Sequence, residues 1–507
     1  MKTLRWIFLA ALLCALLPRP VQSQALTSLQ SLRVAYSTRK ATVRPEGELK
    51  LQIDVVDQEM AEASRLGKTG EVRRLIAKGM VLLSGKPWTE ALDYSNSLVL
   101  RTEHLVADST QPFAIRLEQI YSPAIPLQRS LNARVRLQKR AAQDVELVKD
   151  LGGFDGVSRD LRESPFPLSP DVRDVADGTY QLAVEVLDRE RSLGTTTLSI
   201  HLKKGLDAIV SSLEGAAKTA PAELRAEILF PVDRMRNVNR GRIELRTFDP
   251  ARDFALAETV AASLTSSKDP FATKTGDFKR HYMLETAAEI LPYRMYVPSG
   301  YASDRPFPLI IALHGLGGTE DSLFDGYDKT LIPLAEKHGY IIAAPLGYRV
   351  DGGYGWGLGS PPADPASRRS QQLSEDDVMQ VLQRVRQQYK IDDNRIYLMG
   401  HSLGAIGTWK IAPKFPDVWA AIAPIAGTGS AATLDRIRHI PQFVVHGDDD
   451  RTVNVQGSRT MVAKLKELGI EHTYIEVPGG SHSGVVAPNL PALFDFFNTH
   501  VRKGGRF

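Results

Sequence analysis

Between residues 25 and 83 the apolar positions recur at helical spacing. Leu26, Leu29, Leu32 and Val34 begin the pattern, Leu49, Ile53, Val56 and Met60 continue it, and Val72, Leu75, Ile76 and Leu83 close it. Pro45, Gly67, Gly70 and Gly85 interrupt the runs, so three short helices are predicted. The period then shortens to two. Leu131, Ala133, Val135 and Leu137 alternate with Asn132, Arg134 and Arg136, and Tyr180, Leu182, Val184 and Val186 alternate in the same way, as do Leu198, Ile200 and Leu202. Alternation sets one face on a core and the other in water, which predicts antiparallel strands and a small β-sandwich over 89–204. Helical spacing returns from 206 to 265, broken at Pro221, Pro231 and Gly241, and 265–270 reads as a linker. Beyond it, short and almost wholly apolar runs at 309–313, 340–344, 396–399, 420–425 and 443–445 alternate with helix-like stretches such as 376–389. Strands apolar on both faces predict an α/β domain, a mostly parallel sheet with helices on both sides. The expected organisation is multidomain: a leader at 1–23, a helical segment at 24–88, the sandwich at 89–204, a helical segment and linker at 205–270, and the α/β domain at 271–507.

Composition adds detail mainly at the front end. With 43% hydrophobic and 24% charged residues among 507, the chain has a globular balance, which excludes disordered and collagen-like classes. Lys2 and Arg5 precede an apolar run at 6–17, and Pro18, Pro20 and the small-residue exit Val21-Gln22-Ser23 follow it. This is the three-part pattern of a secretory signal peptide with cleavage after Ser23. The run is too short to cross a bilayer, which takes about 20 residues, and no later segment is long and apolar enough. Cys14 is the single cysteine. It follows Leu13, where a lipid-acceptor cysteine would follow a small residue, and it leaves with the leader. The expected product is soluble, secreted or periplasmic, and free of disulfides. Removing Lys2, Arg5 and Arg19 from the 63 basic residues leaves 60 against 59 acidic ones. That balance argues against nucleic-acid binding, which needs clustered cations.

Candidate chemistry lies in the C-terminal domain. Gly400-His401-Ser402-Leu403-Gly404 fits G-x-S-x-G, between a predicted strand at 395–399 and a predicted helix at 405–411. A strand turning sharply into a helix lifts the Ser402 hydroxyl above the sheet edge and places it at a helix N-terminus. A serine hydroxyl needs a base within hydrogen-bond reach. His482, in a Gly-rich loop after the predicted strand at 473–477, is chosen over His314, His401, His439, His446 and His472. The imidazole needs a carboxylate to hold its tautomer. His446-Gly447-Asp448-Asp449-Asp450 offers three, and Asp450, at the fifth position of H-G-x-x-D, is favoured over Asp448. The order Ser402, Asp450, His482 is that of an α/β-hydrolase. His314-Gly315-Leu316-Gly317-Gly318 follows the strand at 309–313 as an oxyanion loop, with the amide of Leu403 and that of Leu316 or Gly317 as donors. Tyr354 and Trp356, in Gly352-Gly353-Tyr354-Gly355-Trp356-Gly357, are candidates for stacking on a sugar or aryl acyl group, with a mobile surface loop as the competing reading. No metal-ligand spacing, phosphate loop or dinucleotide fingerprint occurs, so no metal or cofactor is expected.

On these motifs, together with 291–298 and Ala312-Leu313-His314-Gly315, the stretch 275–503 resembles the α/β-hydrolase superfamily. Within it the stretch is similar to the secreted esterases grouped with polyhydroxybutyrate depolymerases, feruloyl esterases and acetylxylan esterases. It is also close to prolyl-oligopeptidase-type catalytic domains. One departure is Asn454, where relatives often carry Pro. The segment Asp177-Gly178-Thr179-Tyr180 separately resembles the corner that opens a late strand in immunoglobulin-like sandwiches, where a Tyr hydroxyl bonds back to the backbone. The resemblance implies a serine hydrolase acting through an acyl-enzyme on a small-molecule or polysaccharide-linked carboxylic ester. The alternative is a prolyl-oligopeptidase-like serine peptidase. Oligomeric state is left open.

Overall fold

The computed structural model describes residues 29–123, 131–140, 144–264, 270–271 and 274–502. The leader expected at 1–23, and with it Cys14, lies outside the described residues, as does most of the linker expected at 265–270. Two compact units divide the chain. One holds the residues up to 36, then 45–209 and 235–250, and the other holds 37–44, 210–234 and 251 onward.

Helices α1 (Leu29–Val43), α2 (Gly47–Arg65), α3 (Thr69–Leu82) and α4 (Glu90–Ser97) come first. Ile53, Val56, Val72, Leu75 and Ile76, on the stripes read from the sequence, are buried. Eight strands follow: β1 (Leu98–Thr102), β2 (Val106–Asp108), β3 (Ile115–Gln119), β4 (Leu131–Arg140), β5 (Val145–Val157), β6 (Phe166–Leu168), β7 (Gly178–Asp188) and β8 (Arg191–Lys203). They form a three-stranded sheet, β1-β3-β6, and a five-stranded sheet, β2-β8-β7-β4-β5. The odd-numbered apolar residues of β4 and the even-numbered ones of β7 are buried, as alternation requires. The Tyr180 hydroxyl donates to the Ala176 carbonyl at 2.7 Å, the return bond the corner resemblance implies.

Next come α5 (Leu206–Thr219), α6 (Ala222–Asn239) and α7 (Pro250–Ser263). The C-terminal part then runs β9 (Gly276–Leu284), β10 (Glu289–Val297), β11 (Phe307–Leu313), α8 (Ser322–Asp325), α9 (Leu331–His338), β12 (Ile341–Pro345), α10 (Pro365–Gln388), β13 (Ile391–His401), α11 (Leu403–Lys414), β14 (Ala421–Ile425), β15 (Gln442–Gly447), α12 (Gln456–Glu467), β16 (His472–Val477) and α13 (Val486–Thr499). Its eight strands lie in the order β16-β15-β14-β13-β11-β12-β10-β9. Pairings from β16 through β12 are parallel, and β10 runs antiparallel to both β12 and β9. Every residue of β11, β12, β14 and β15 is buried, which explains their unbroken apolar runs. On one face Ile310, Ala312, Ile342, Ala344, Met399, Ala423 and Val445 meet α9 and α13 through Leu331, Ala335, Leu490, Phe494 and Phe497. The alternate residues point the other way, toward α10 and α11. This is the α/β-hydrolase architecture. Among the described residues no helix is long and apolar enough to cross a membrane.

Part of α6 belongs to this second unit. The Glu227 carboxylate accepts from Arg280 Nε at 2.6 Å, from the His281 amide at 3.1 Å and pairs with His281 Nδ1 at 2.6 Å, all enclosed. The expected domain start at 271 would therefore separate β9 from a buried counter-charge. Deleting one member of a buried ion cluster strands the other charges at a cost of about 3–5 kcal/mol. Glu227→Ala is expected to lower the unfolding free energy by that amount, read from urea unfolding of the full chain.

Candidate active site

Ser402 stands where β13 turns into α11. Its φ of 58° and ψ of −117° lie where an L-residue goes only under constraint. Close packing supplies the constraint. A Cβ at Gly400 would come within 2.3 Å of the Gly404 carbonyl, and one at Gly404 within 2.1 Å of the Leu313 oxygen. Only glycine at both positions lets β13, α11 and β11 approach so closely. The Ser402 amide donates to Ile425 O at 2.9 Å, and its carbonyl accepts from the Ile406 amide at 3.1 Å, opening the helix.

His482 Nδ1 lies 2.7 Å from Asp450 Oδ2; the imidazole is 17% exposed and the carboxylate fully enclosed. Asp450 Oδ1 accepts from the amides of Thr452 and Val453 at 2.8 and 2.9 Å. Burial pushes the Asp450 carboxyl up, but hydrogen bonds from His446, His482 and these amides outweigh it and hold the group well below the usual carboxylate range. An ionised Asp450 only accepts, so His482 carries its hydrogen on Nδ1 and presents Nε2 as the basic atom. Asp448 instead accepts from the Gly479 amide, and exposed Asp449 pairs with Arg451. Of the three adjacent carboxylates, Asp450 is the one brought to the imidazole.

The loop at 314–318, expected to hold the oxyanion, reaches the Ser402 turn. A Cβ at Gly315 would lie 3.2 Å from Ser402 Cβ. The Gly317 amide donates to Val350 O at 2.8 Å, so of the two loop amides expected as donors, Leu316 and Gly317, the second is already engaged. His314 holds the loop from beneath, its ring nitrogens 2.7 Å from the carbonyls of Gly315 and Leu346.

Of the two aromatic candidates, Tyr354 requires correction. Tyr354 is 1% exposed, its ring filling space left by Gly347 and Gly407, and its hydroxyl donates to the His314 carbonyl at 3.0 Å. It braces the oxyanion loop from inside the protein and presents no face to a substrate. Trp356 stacks under the Lys414 ammonium, 5.5 Å away, and the next residue, Gly357, packs on Lys410. The glycines that looked like a flexible platform instead admit Lys410, which donates to the carbonyls of Gly353 and Gly355 at 2.8 and 2.7 Å.

His401, set aside as a base, and Tyr327, which gave no signal in the sequence, also meet here. His401 Nε2 donates to the His482 carbonyl at 3.0 Å, and its Nδ1 accepts from the Tyr327 hydroxyl at 2.8 Å. Tyr327, Asp328 and Lys329 all have positive φ, a strained turn that delivers the phenol to this contact. Burial, with the neighbouring His482 imidazole, pushes His401 down to about 4, consistent with a neutral ring that donates on one side and accepts on the other.

Part of the chain is similar to known proteins. Residues 289–472 match the Esterase family model, described as "Putative esterase". The chain is 28% identical over 162 residues to a "Bifunctional acetylxylan esterase/xylanase" of Neocallimastix patriciarum, covering 32% of this chain and 22% of that one. It is 30% identical over 136 residues to "Poly(3-hydroxyalkanoate) depolymerase C" of Paucimonas lemoignei, covering 26% and 30%. It is also 30% identical over 137 residues to "Feruloyl esterase B" of Neurospora crassa, covering 27% and 44%. The chain thus spans less than half the length of each of these curated relatives. A solved ferulic acid esterase of Anaeromyces mucronatus aligns at 20% identity and a TM-score of 0.37, over 46% of this chain and 93% of that one.

The depressed His401 has a measurable consequence. The unfolded chain takes up a proton near the ordinary histidine value of 6.5, and the folded chain only near 4. Stability is therefore complete above about 6.5 and falls as pH drops toward 4, by about 3 kcal/mol. Asp377, pushed up to about 6 by burial, slopes the opposite way. The wild-type minus His401→Gln difference in unfolding free energy, measured from pH 7 to 4, isolates the histidine and should show this fall.

Proposed function

We propose that the protein is an exported serine hydrolase of carboxylic esters, with the α/β-hydrolase fold of its C-terminal unit and its esterase-like stretch as premises. The observation that carries the reading is the enclosed Asp450–His482 pair at 2.7 Å, on the sheet edge that also bears the strained Ser402 turn. Ser402 Oγ attacks the ester carbonyl while His482 Nε2 takes its proton. Asp450 holds the imidazole in the required tautomer and stabilises it once charged. The Leu316 and Leu403 amides receive the charge on the carbonyl oxygen, each such donor being worth about 3 kcal/mol in the transition state. His482 then protonates the departing alcohol and activates water, which releases the acid. All steps use side chains, amides and water.

The named substrates of the relatives, together with the leader-like front end, support an ester that is small or attached to a polysaccharide outside the cell. The paired sheets of the first unit are read as a small sandwich appended to the hydrolase. Ser402→Ala is expected to cut turnover of p-nitrophenyl acetate by at least about 10⁴-fold. A fluorophosphonate should label Ser402 in the wild type and nothing in the variant. Persistent activity in Ser402→Ala would remove the mechanism, and preference for a prolyl anilide over the ester would turn the reading to a peptidase.

A further inference from the structure

The sequence offers His446 only as a rival base, and the structure turns it inward. The ring ends β15 with no exposed side-chain surface. Its Nε2 faces two acceptors, Asp450 Oδ2 at 3.1 Å and Val453 O at 3.0 Å, so that nitrogen carries the hydrogen. Its Nδ1 lies 2.7 Å from the Ser458 hydroxyl on α12, which is itself 3.1 Å from Gly427 O. The ring is thereby held from both sides, at Nε2 by the Val453 carbonyl with the Asp450 carboxylate beside it and at Nδ1 by the Ser458 hydroxyl.

We propose that His446 is a positioning residue for the reaction, a second imidazole that pins the Asp450 oxygen on which His482 depends. Both histidines meet the same atom. His482 Nδ1 lies 2.7 Å from Oδ2 on one side and His446 Nε2 lies 3.1 Å from it on the other, while the Thr452 and Val453 amides hold Oδ1. Remove His446 and Oδ2 keeps His482 as its single ring partner. The carboxylate then follows the imidazole when Nε2 moves toward substrate, where before it fixed the ring's plane. A loss of that kind falls on turnover and spares substrate binding. A ring that merely filled space would make a difference to stability alone.

This inference rests on the serine-hydrolase reading, and the test separates the two. In the full chain, His446→Leu keeps the bulk and removes the N–H, whereas His446→Gln restores an N–H donor at similar reach. With p-nitrophenyl acetate, His446→Leu is expected to lower kcat at least about tenfold with KM within twofold. His446→Gln should recover to within about threefold of the wild type. Ser458→Ala, which frees the ring without emptying the site, should lower kcat in the same sense and serves if His446→Leu does not fold. The low-field proton resonance of the His482–Asp450 hydrogen bond is read in parallel and requires no turnover. It should shift or broaden in His446→Leu and Ser458→Ala and persist in His446→Gln. Folded Leu and Gln variants with equal kcat and an unmoved resonance would overturn the proposal. A wild type inert toward esters but with the resonance responding as stated would overturn the functional reading and leave the pinning intact.

Discussion

The approach of the first turn of α11 to the end of β11 is the constraint on which the site depends. In the sheet register Leu313 is paired with Gly400, so the oxyanion loop and the serine turn leave the same edge side by side. They can do so only because Gly404 puts a bare Cα against the Leu313 carbonyl. With a side chain there, the helix would have to lift away from the end of β11. The left-handed backbone at Ser402 follows from that closeness. It is a strain of about 1–3 kcal/mol that a loosely packed turn would relax.

The other parts are arranged by strand order. β14 lies between β13 and β15, and its Ile425 carbonyl takes the Ser402 amide. The loops after β15 and β16 carry Asp450 and His482. Parallel neighbours deliver their C-terminal loops to one edge, where open α/β sheets bind their ligands. Residues that are distant in sequence therefore meet without any long excursion of the chain.

Much of this was legible in the chain itself. Unbroken apolar runs mark strands covered on both faces, and β11, β12, β14 and β15 are such strands. The order of Ser, Asp and His, each in the turn or loop after a strand, points to Asp450 and His482, which lie 2.7 Å apart. Tyr354 was misread for a physical reason. A tyrosine among glycines looks mobile, but room for the Tyr354 ring is made by Gly347 and Gly407, and local sequence does not announce that complementarity. Nor does any periodicity signal the left-handed run from Tyr327 to Lys329, because tertiary contacts hold it and local propensity opposes it.

Division of the chain between the units has an evolutionary consequence. After a short visit at 37–44, the path enters the second unit at 210, leaves it at 235 and returns at 251. Glu227 lies in the 210–234 visit and neutralises Arg280 on the edge strand. No single break in the gene would release the second unit whole, since the fragment would begin either without its counter-charge or with a piece of the other unit attached. Shuffling of this module between genes would thus be selected against at the linker, and the front and back of the chain would tend to be inherited together.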